Sequence, residues 1–291
     1  MALLLFGSWL LDLLCGDPRT PYHPVALTGR FALFLEPYCR KLTHREFPAG
    51  MWCSLAVVIS ATTLAGTVVI IAGWLGGKTA TMIVSIILLY FTVAPRCLCD
   101  HVRAVEKRLA AGDLPGARRR IGWIVSRDPE ALSVRGVIRS GVESLGENFS
   151  DGVTAAWFYA ALGWLAGGPA GAAAAAWGYR AANTLDATFG YKNRRYRRFG
   201  TFPARCDDLL NFIPARLTVA AVIMAAALLR LRPLNTWKCA WRDHRKHPSP
   251  NSAWGMAAFA GALGVRLGAK PNTPRAGSNI PTGALRWNHC A

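Results

Sequence analysis

Met51–Leu75 reads MWCSLAVVISATTLAGTVVIIAGWL, and Thr79–Pro95 reads TATMIVSIILLYFTVAP. Neither stretch contains a charged residue, and only Gly76-Gly77-Lys78 separates them. A membrane-crossing helix needs about 20 mostly apolar residues to span a hydrocarbon core of about 30 Å. Two such stretches joined by so short a loop predict a helical hairpin. Its flanks, Gly16–Gly50 and Arg96–Asp151, then lie on one side, and their wealth of Arg marks that side as cytoplasmic. The expected fold class is therefore all-α: a polytopic integral membrane protein with broken or re-entrant helices and polar cytoplasmic loops.

Outward from the hairpin, apolar blocks recur at Ala2–Leu14, Gly152–Gly178, Pro214–Leu229 and Ala253–Gly268. Gly152–Gly178 would place the basic stretch Arg180–Asn211 on the far side if it crossed once. A break at Gly167-Gly168-Pro169 returns that stretch to the cytoplasm, since paired Gly and Pro interrupt helices. The first block has Asp12 inside it and no basic segment before it, so it reads as a retained helix rather than a secretory signal. Residues 1–268 are expected to form one membrane domain. Residues 269–291, rich in Pro, Gly and Asn without periodicity, are expected to be a poorly ordered tail.

Composition excludes several classes. Hydrophobic residues make up 52% of the chain and charged ones 17%, too apolar for a disordered protein. Lys plus Arg number 34 against 16 Asp plus Glu, a net charge of +18. Such an excess suits nucleic acid, or an anionic bilayer face or substrate. The basic residues are spread over several loops without a reading element, so no nucleic-acid partner is expected. The eight Cys form no CxxC pair and read as apolar fillers.

Four polar clusters sit at the edges of the apolar blocks. On a helix expected over about Asp128–Asp151, Arg135, Arg139, Glu143, Glu147 and Asp151 recur every four residues as one stripe. The plain reading is a solvated ladder of ion pairs. The stripe ends in Glu147-Asn148-Phe149-Ser150-Asp151-Gly152 beside an apolar block, where carboxylates and an amide can also hold Mg²⁺. The second cluster is Asn183-Thr184-Leu185-Asp186 with Arg180 before it and Tyr191-Lys192-Asn193-Arg194 after it. Asn183 and Asp186 share a helix face; the basic run either grips a phosphate or marks the membrane interface. The third is Asp207-Asp208 with Asn211, Pro214 and Arg216. Charges at the edge of an apolar block are costly and read first as functional, although Arg216 can simply snorkel. The fourth, Lys246-His247-Pro248-Ser249-Pro250-Asn251, is either a rigid basic connector or an anion grip stiffened by proline. Asp12, Asp17, Pro18, His23 and Pro24 make a similar rigid edge near the N-terminus.

Trp74-Leu75-Gly76-Gly77-Lys78-Thr79 imitates a phosphate-binding loop. The required Gly six residues before Lys78 is Ala72, and no strand precedes it, so it is a hairpin turn.

Taken together, Trp9-Leu10-Leu11-Asp12, Gly16-Asp17-Pro18, His23-Pro24-Val25, Val142 to Gly152, Asn183 to Asp186, Gly190-Tyr191, Asp207-Asp208 with Asn211, Pro214-Ala215-Arg216 and Lys246 to Asn251 resemble the motifs of the cobalamin-biosynthesis CobD/CbiB family, known as adenosylcobinamide-phosphate synthase. The resemblance covers roughly residues 3–268. It departs at Leu267-Gly268-Ala269-Lys270-Pro271, where the family usually runs on to a further membrane helix, so the sequence reads as truncated or frame-shifted there. The resemblance implies an ATP- and Mg²⁺-associated amide ligase of the cell inner membrane, with its active face in the cytoplasm. It would join a propionate of adenosylcobyric acid to aminopropanol or its phosphate. On it, Glu143, Glu147, Asp151, Asp186, Asp207 and Asp208 take catalytic roles, with Glu147, Asp151 and Asp207 as Mg²⁺ ligands. Asp17, His23, Asn148, Arg180, Asn183, Arg194, Asn211, Arg216, Lys246, His247 and Asn251 bind the corrinoid and the amino-alcohol phosphate. The competing readings are a transporter for a corrinoid or another anion, which would bury charges deep within spans, and a sensor or scaffold without catalysis. The amino alcohol and the oligomeric state are not encoded legibly.

Overall fold

The computed structural model describes residues 1–18, 20–125, 129–191 and 193–267, and they are helical with no strand among them. The expected tail, 269–291, lies outside the described residues. The helices are α1 (Ala2–Cys15), α2 (Pro24–Thr43), α3 (Glu46–Tyr90), α4 (Pro95–Ala110), α5 (Leu114–Ile121), α6 (Val134–Phe149), a π-helical turn (Ser150–Thr154), α7 (Ala155–Phe189), α8 (Thr201–Leu210), α9 (Phe212–Leu228), α10 (Pro233–Asp243) and α11 (Ser252–Leu263). They divide into two compact units: one holds Met1–Pro95 and Ala155–Leu210, the other Arg96–Thr154 and the chain from Asn211.

The first unit is built on two helical hairpins. α3 breaks at Gly77, whose φ of +65° is the left-handed conformation that glycine adopts freely. A Cβ on Gly73 would sit 2.9 Å from Thr81 Oγ1. Eight residues along a straight helix span about 12 Å, so the two arms fold back on each other. α7 breaks at Gly167 and at Gly168, where φ is +58°, and Pro169 opens the second arm. Its arms meet at Gly163 and Gly171: a Cβ on either would lie 2.1 or 2.2 Å from the other's carbonyl oxygen. The interruption expected at Gly167-Gly168-Pro169 is present.

Between these hairpins the core is rich in small residues. Ala32, Ala49, Cys53, Val57, Ala181, Leu185, Phe189 and Phe199 form one buried cluster; Val25, Ala65, Val69, Ala173 and Trp177 form another. Small side chains let helix backbones approach closely where apolar surroundings provide no hydrophobic drive. The outward surface is apolar too, with Trp74 83% and Leu75 85% exposed at the tip of α3. By length and composition the stretch Glu46–Ala110 can cross a membrane, and a second can if α8 and α9 count as one broken span.

In the second unit, Ser133 Oγ accepts from the Gly136 amide and caps α6. The cap explains why this helix begins at Val134 rather than near residue 128. Likewise Asp113 caps α5 by accepting from the Gly116 amide at 2.7 Å, which holds its carboxyl below the usual range. α6 and α11 cross at Gly146 and Gly255. A Cβ on Gly255 would lie 2.3 Å from the Gly146 carbonyl oxygen. Phe149 and Phe259 meet edge to face just beyond that crossing.

Candidate functional site

In the first unit, α7 and α8 bring three of the expected residues into one line. Arg180 Nη1 donates to Asn183 Oδ1 at 3.5 Å, and Asn183 Nδ2 donates to Asp207 Oδ1 at 3.1 Å. All three are buried. Arg180 and Asn183 are three residues apart, so one helix face carries both. Thr184 turns its hydroxyl back to the Arg180 carbonyl, and Tyr159 reaches the Leu210 carbonyl while stacking on Tyr179 at 5.0 Å. The side chain of Asp186 folds against Gly190, where any Cβ would strike its Oδ1 at 2.1 Å. Asp186 and Asp208 are half-buried, and Arg194 is exposed.

The N-terminal edge forms a separate pair in the same unit. His23 Nε2 lies 2.9 Å from Asp17 Oδ1, and its Nδ1 accepts from the Val25 amide. An Nδ1 that accepts leaves the ring proton on Nε2, facing the carboxylate. The backbone turn before it is tied by Tyr90, whose hydroxyl donates to the Gly16 carbonyl.

A third group in this unit escaped the sequence. Glu36, 1% exposed, accepts from Arg40 Nε at 2.9 Å and Arg195 Nε at 3.0 Å on one oxygen, and from the Tyr196 hydroxyl at 3.2 Å on the other. Arg40 also stacks over Phe199. The bond from Glu36 raises the pKa of Arg195; burial first, and then Glu36, raises that of Tyr196. The network fastens the basic loop before α8 to α2.

The second unit gathers another set. Glu147 Oε1 accepts from Ser252 Oγ at 2.9 Å, joining the end of α6 to the start of α11. Glu143 is buried one turn earlier; Asp151 follows one turn later, in the π-helical turn. Such turns break the regular ladder and recur at functional sites. Ser150, in the same turn, has a buried Oγ without a hydrogen-bond partner among the described residues. Asn148 donates to the Ser144 carbonyl and hydroxyl, so the amide is used locally. Arg216 lies 3.6 Å above the Phe212 ring and 5.0 Å from that of Trp254. It is clamped on aromatic faces rather than extended outward. His244 stacks on the opposite partner, Trp254, at 4.2 Å.

The Pro-rich connector also folds locally. Ser249 accepts from the Ser252 amide and starts α11, while its own amide donates to His247 Nδ1 at 3.1 Å. Lys246 pairs with Asp243 at 2.5 Å, and Arg242 grips the same carboxylate. The Arg242 bond, then Lys246, lowers the Asp243 pKa to about 2. Asn211 and Asn251 are buried in this unit.

Among the described residues no three His, Cys, Asp or Glu side chains converge to hold a metal ion. The oxygen donors present fit Mg²⁺ held by one or two carboxylates and completed by substrate phosphates and water. The carboxylates that could serve in this way are Glu147 and Asp151, one helical turn apart in the second unit, and Asp207 in the first.

Ser150, Ser252, Glu36, Tyr159 and Trp254 were not singled out by sequence reasoning. Of the two serines only Ser150 carried a signal, since it lies within the motif stretch around Glu147; Ser252 falls one residue past the stretch that ends at Asn251.

Comparison with known proteins identifies the relatives of this arrangement. The chain matches the CobD/Cbib protein family over residues 5–277. It is 41% identical over 264 residues to the cobalamin biosynthesis protein CobD of Leptospira interrogans, covering 90% of this chain and 80% of that one. Against the CobD of Clostridium perfringens the identity is 40% over 262 residues, with the same coverage. Against that of Geobacter metallireducens it is 44% over 260 residues, covering 89% and 79%. No solved structure matches.

Proposed function

The chain belongs to the CobD/Cbib protein family, and on that footing we propose that it performs an amide-forming step of cobalamin biosynthesis at a membrane. The substrates proposed are adenosylcobyric acid and aminopropanol or its phosphate. The observation that carries this reading is the buried line Arg180–Asn183–Asp207 on family-motif positions. A guanidinium, an amide and a carboxylate buried beside apolar blocks are costly to keep there and read first as functional.

A carboxylate resists attack by an amine until one oxygen becomes a leaving group. ATP, with Mg²⁺, would supply the phosphoryl group that makes it one. The chain's own part is positioning and charge. In the second unit Glu147 and Asp151 would approach a phosphate-bound ion and Arg216 an anionic oxygen; in the first, Arg180 would face an anionic oxygen. Asp207, held by Asn183, would accept the proton that the amine loses as the C–N bond forms. Asn211 and Asn251 would hydrogen-bond the amide arms of the corrinoid.

The membrane setting is part of the proposal. Two hairpins with large apolar side chains exposed at their surface suit a multi-pass protein of the inner membrane, and the basic stretches beside them suit a cytoplasmic active face.

The test is purified full-length protein with both substrates, ATP and Mg²⁺, read by mass spectrometry of the corrinoid. Amide product, with ATP consumed only when both substrates are present, supports the proposal. Its absence from a folded preparation, or full activity in both Glu147→Gln and Asp207→Asn, overturns it. Corrinoid accumulating in vesicles without amide product would point to transport.

A further inference from the structure

α10 is an amphipathic helix whose apolar stripe is left largely exposed by the described residues. Leu234, Trp237 and Trp241 follow helical spacing and are 76%, 53% and 62% exposed. The two indole rings stack at 5.7 Å. The opposite stripe, Thr236 and Ala240, is fully buried. There Asn235 donates to the Gly261 carbonyl of α11 at 2.8 Å. The helix is thus fixed by one face; on the other, Leu234 and Trp237 stand out, while Trp241 touches the Trp254 and His244 rings along one edge and is otherwise exposed.

Its surroundings identify what the exposed face meets. α9 ends in Leu228 and Leu229, both largely exposed, and the chain turns at once through Arg230, whose φ is +54°. Pro233 then opens α10, so the stripe begins where an apolar helix stops. Across residues 230–246 the charged residues are Arg230, Arg232, Lys238, Arg242, Arg245 and Lys246 against Asp243 alone. Lys238 and Arg242 flank the stripe by helical position, and both are exposed. Exposed Trp beside Lys and Arg on a short helix is the composition that settles in the headgroup layer of an anionic leaflet. A second protein would bring its own apolar face, but nothing in that case asks for six cations.

We propose that α10 lies in the membrane surface, with Leu234, Trp237 and Trp241 inserted at the acyl boundary and Arg230 and Lys238 on anionic lipid phosphates. This rests on the membrane reading above and adds to it a lipid-binding surface and a preference for negative headgroups.

The experiment uses the full chain in phosphatidylcholine nanodiscs, with and without phosphatidylglycerol, in which the acyl chains are brominated near the headgroup. Bromine quenches only tryptophans that touch it. The chain has 11 Trp, so Trp237 and Trp241 are 2 of 11. Replacing both by Phe should remove at least that share of the bromine-dependent quenching. Lys238→Glu, on the exposed face, should lower the quenching in phosphatidylglycerol discs and leave it unchanged without the anionic lipid. The proposal is overturned if the double variant is quenched like the wild type, if aqueous iodide quenches these two rings in discs, or if α10 of one copy cross-links to α10 of another. Failure of the protein to enter discs at all would instead sink the membrane reading.

Discussion

Asn183 on α7 donates to Asp207 on α8 at 3.1 Å, and both side chains are nine-tenths buried. A buried carboxylate needs such donors, because leaving one unsatisfied costs about 1–3 kcal/mol. Asn183→Ala should therefore lower the unfolding midpoint and cut amidation together. Asp207→Asn keeps the shape and should leave the midpoint nearly unchanged while amidation falls on the order of 100-fold, the usual size for a lost proton acceptor. A thermal melt beside a product assay separates the two. Equal amidation by Asp207→Asn and wild type would remove Asp207 from the chemistry.

Ser150 offers the opposite signature. Its buried hydroxyl has no hydrogen-bond partner among the described residues, so replacing it with Ala should cost nothing in stability and can add up to about 1 kcal/mol. If the hydroxyl waits for substrate, Ser150→Ala should nevertheless raise KM or lower kcat by about tenfold, one hydrogen bond's worth. Unaltered kinetics would reduce Ser150 to a tolerated packing defect.

Glu36 holds two arginines and a tyrosine but no substrate in this reading. Glu36→Gln keeps the shape and weakens the charge-assisted bonds, which are worth about 1.5–3 kcal/mol each before solvent screening of the exposed Arg195. The expected result is faster proteolysis within residues 193–199 and a raised KM for the phosphorylated substrate, with kcat within about twofold. Intact protease resistance in that loop would show the network to be dispensable.

Asp243 sets a pH signature outside the apolar helices. Its carboxyl titrates at about 2 in the fold against an ordinary 3.8. A lowered value means the contribution is present above 3.8 and is lost as pH falls through about 2. Arg242 and Lys246 are largely exposed, so water keeps the contribution below about 1 kcal/mol. Wild type should therefore melt slightly above Asp243→Asn at neutral pH, the gap closing in strong acid. A gap that persists below pH 2 would assign it to packing instead of charge.

Much of this was legible in the residues. Uncharged stretches joined by Gly76-Gly77-Lys78, and Gly167-Gly168-Pro169 inside an apolar block, announce reversals because these residues terminate helices locally. Arg180, Asn183 and Asp207 were each marked as polar groups beside apolar blocks, but their joining was not: the sequence pairs Asn183 with Asp186 and Asp207 with Asn211, whereas the fold ties Asn183 to Asp207. Glu36 could not be found that way: its partner Arg195 is 159 positions distant, and a single acid in a basic stretch looks solvated. Ser252 and Trp254 were equally silent, since only folding places them against Glu147 and Arg216. The onset of α6 lies at Val134, not near residue 128, because the hydroxyl of Ser133 caps the helix just before the charge stripe begins at Arg135.

The hairpin tips at Gly76–Lys78 and Gly167–Pro169 carry one ammonium group between them, that of Lys78. In a bilayer, then, biosynthesis has almost nothing hydrophilic to haul across at either reversal. On the membrane reading proposed above, each pair of arms enters sideways as one wedge. A cell starved of its ATP-driven translocation motor should still install these two wedges, whereas proteins with long external loops would stall.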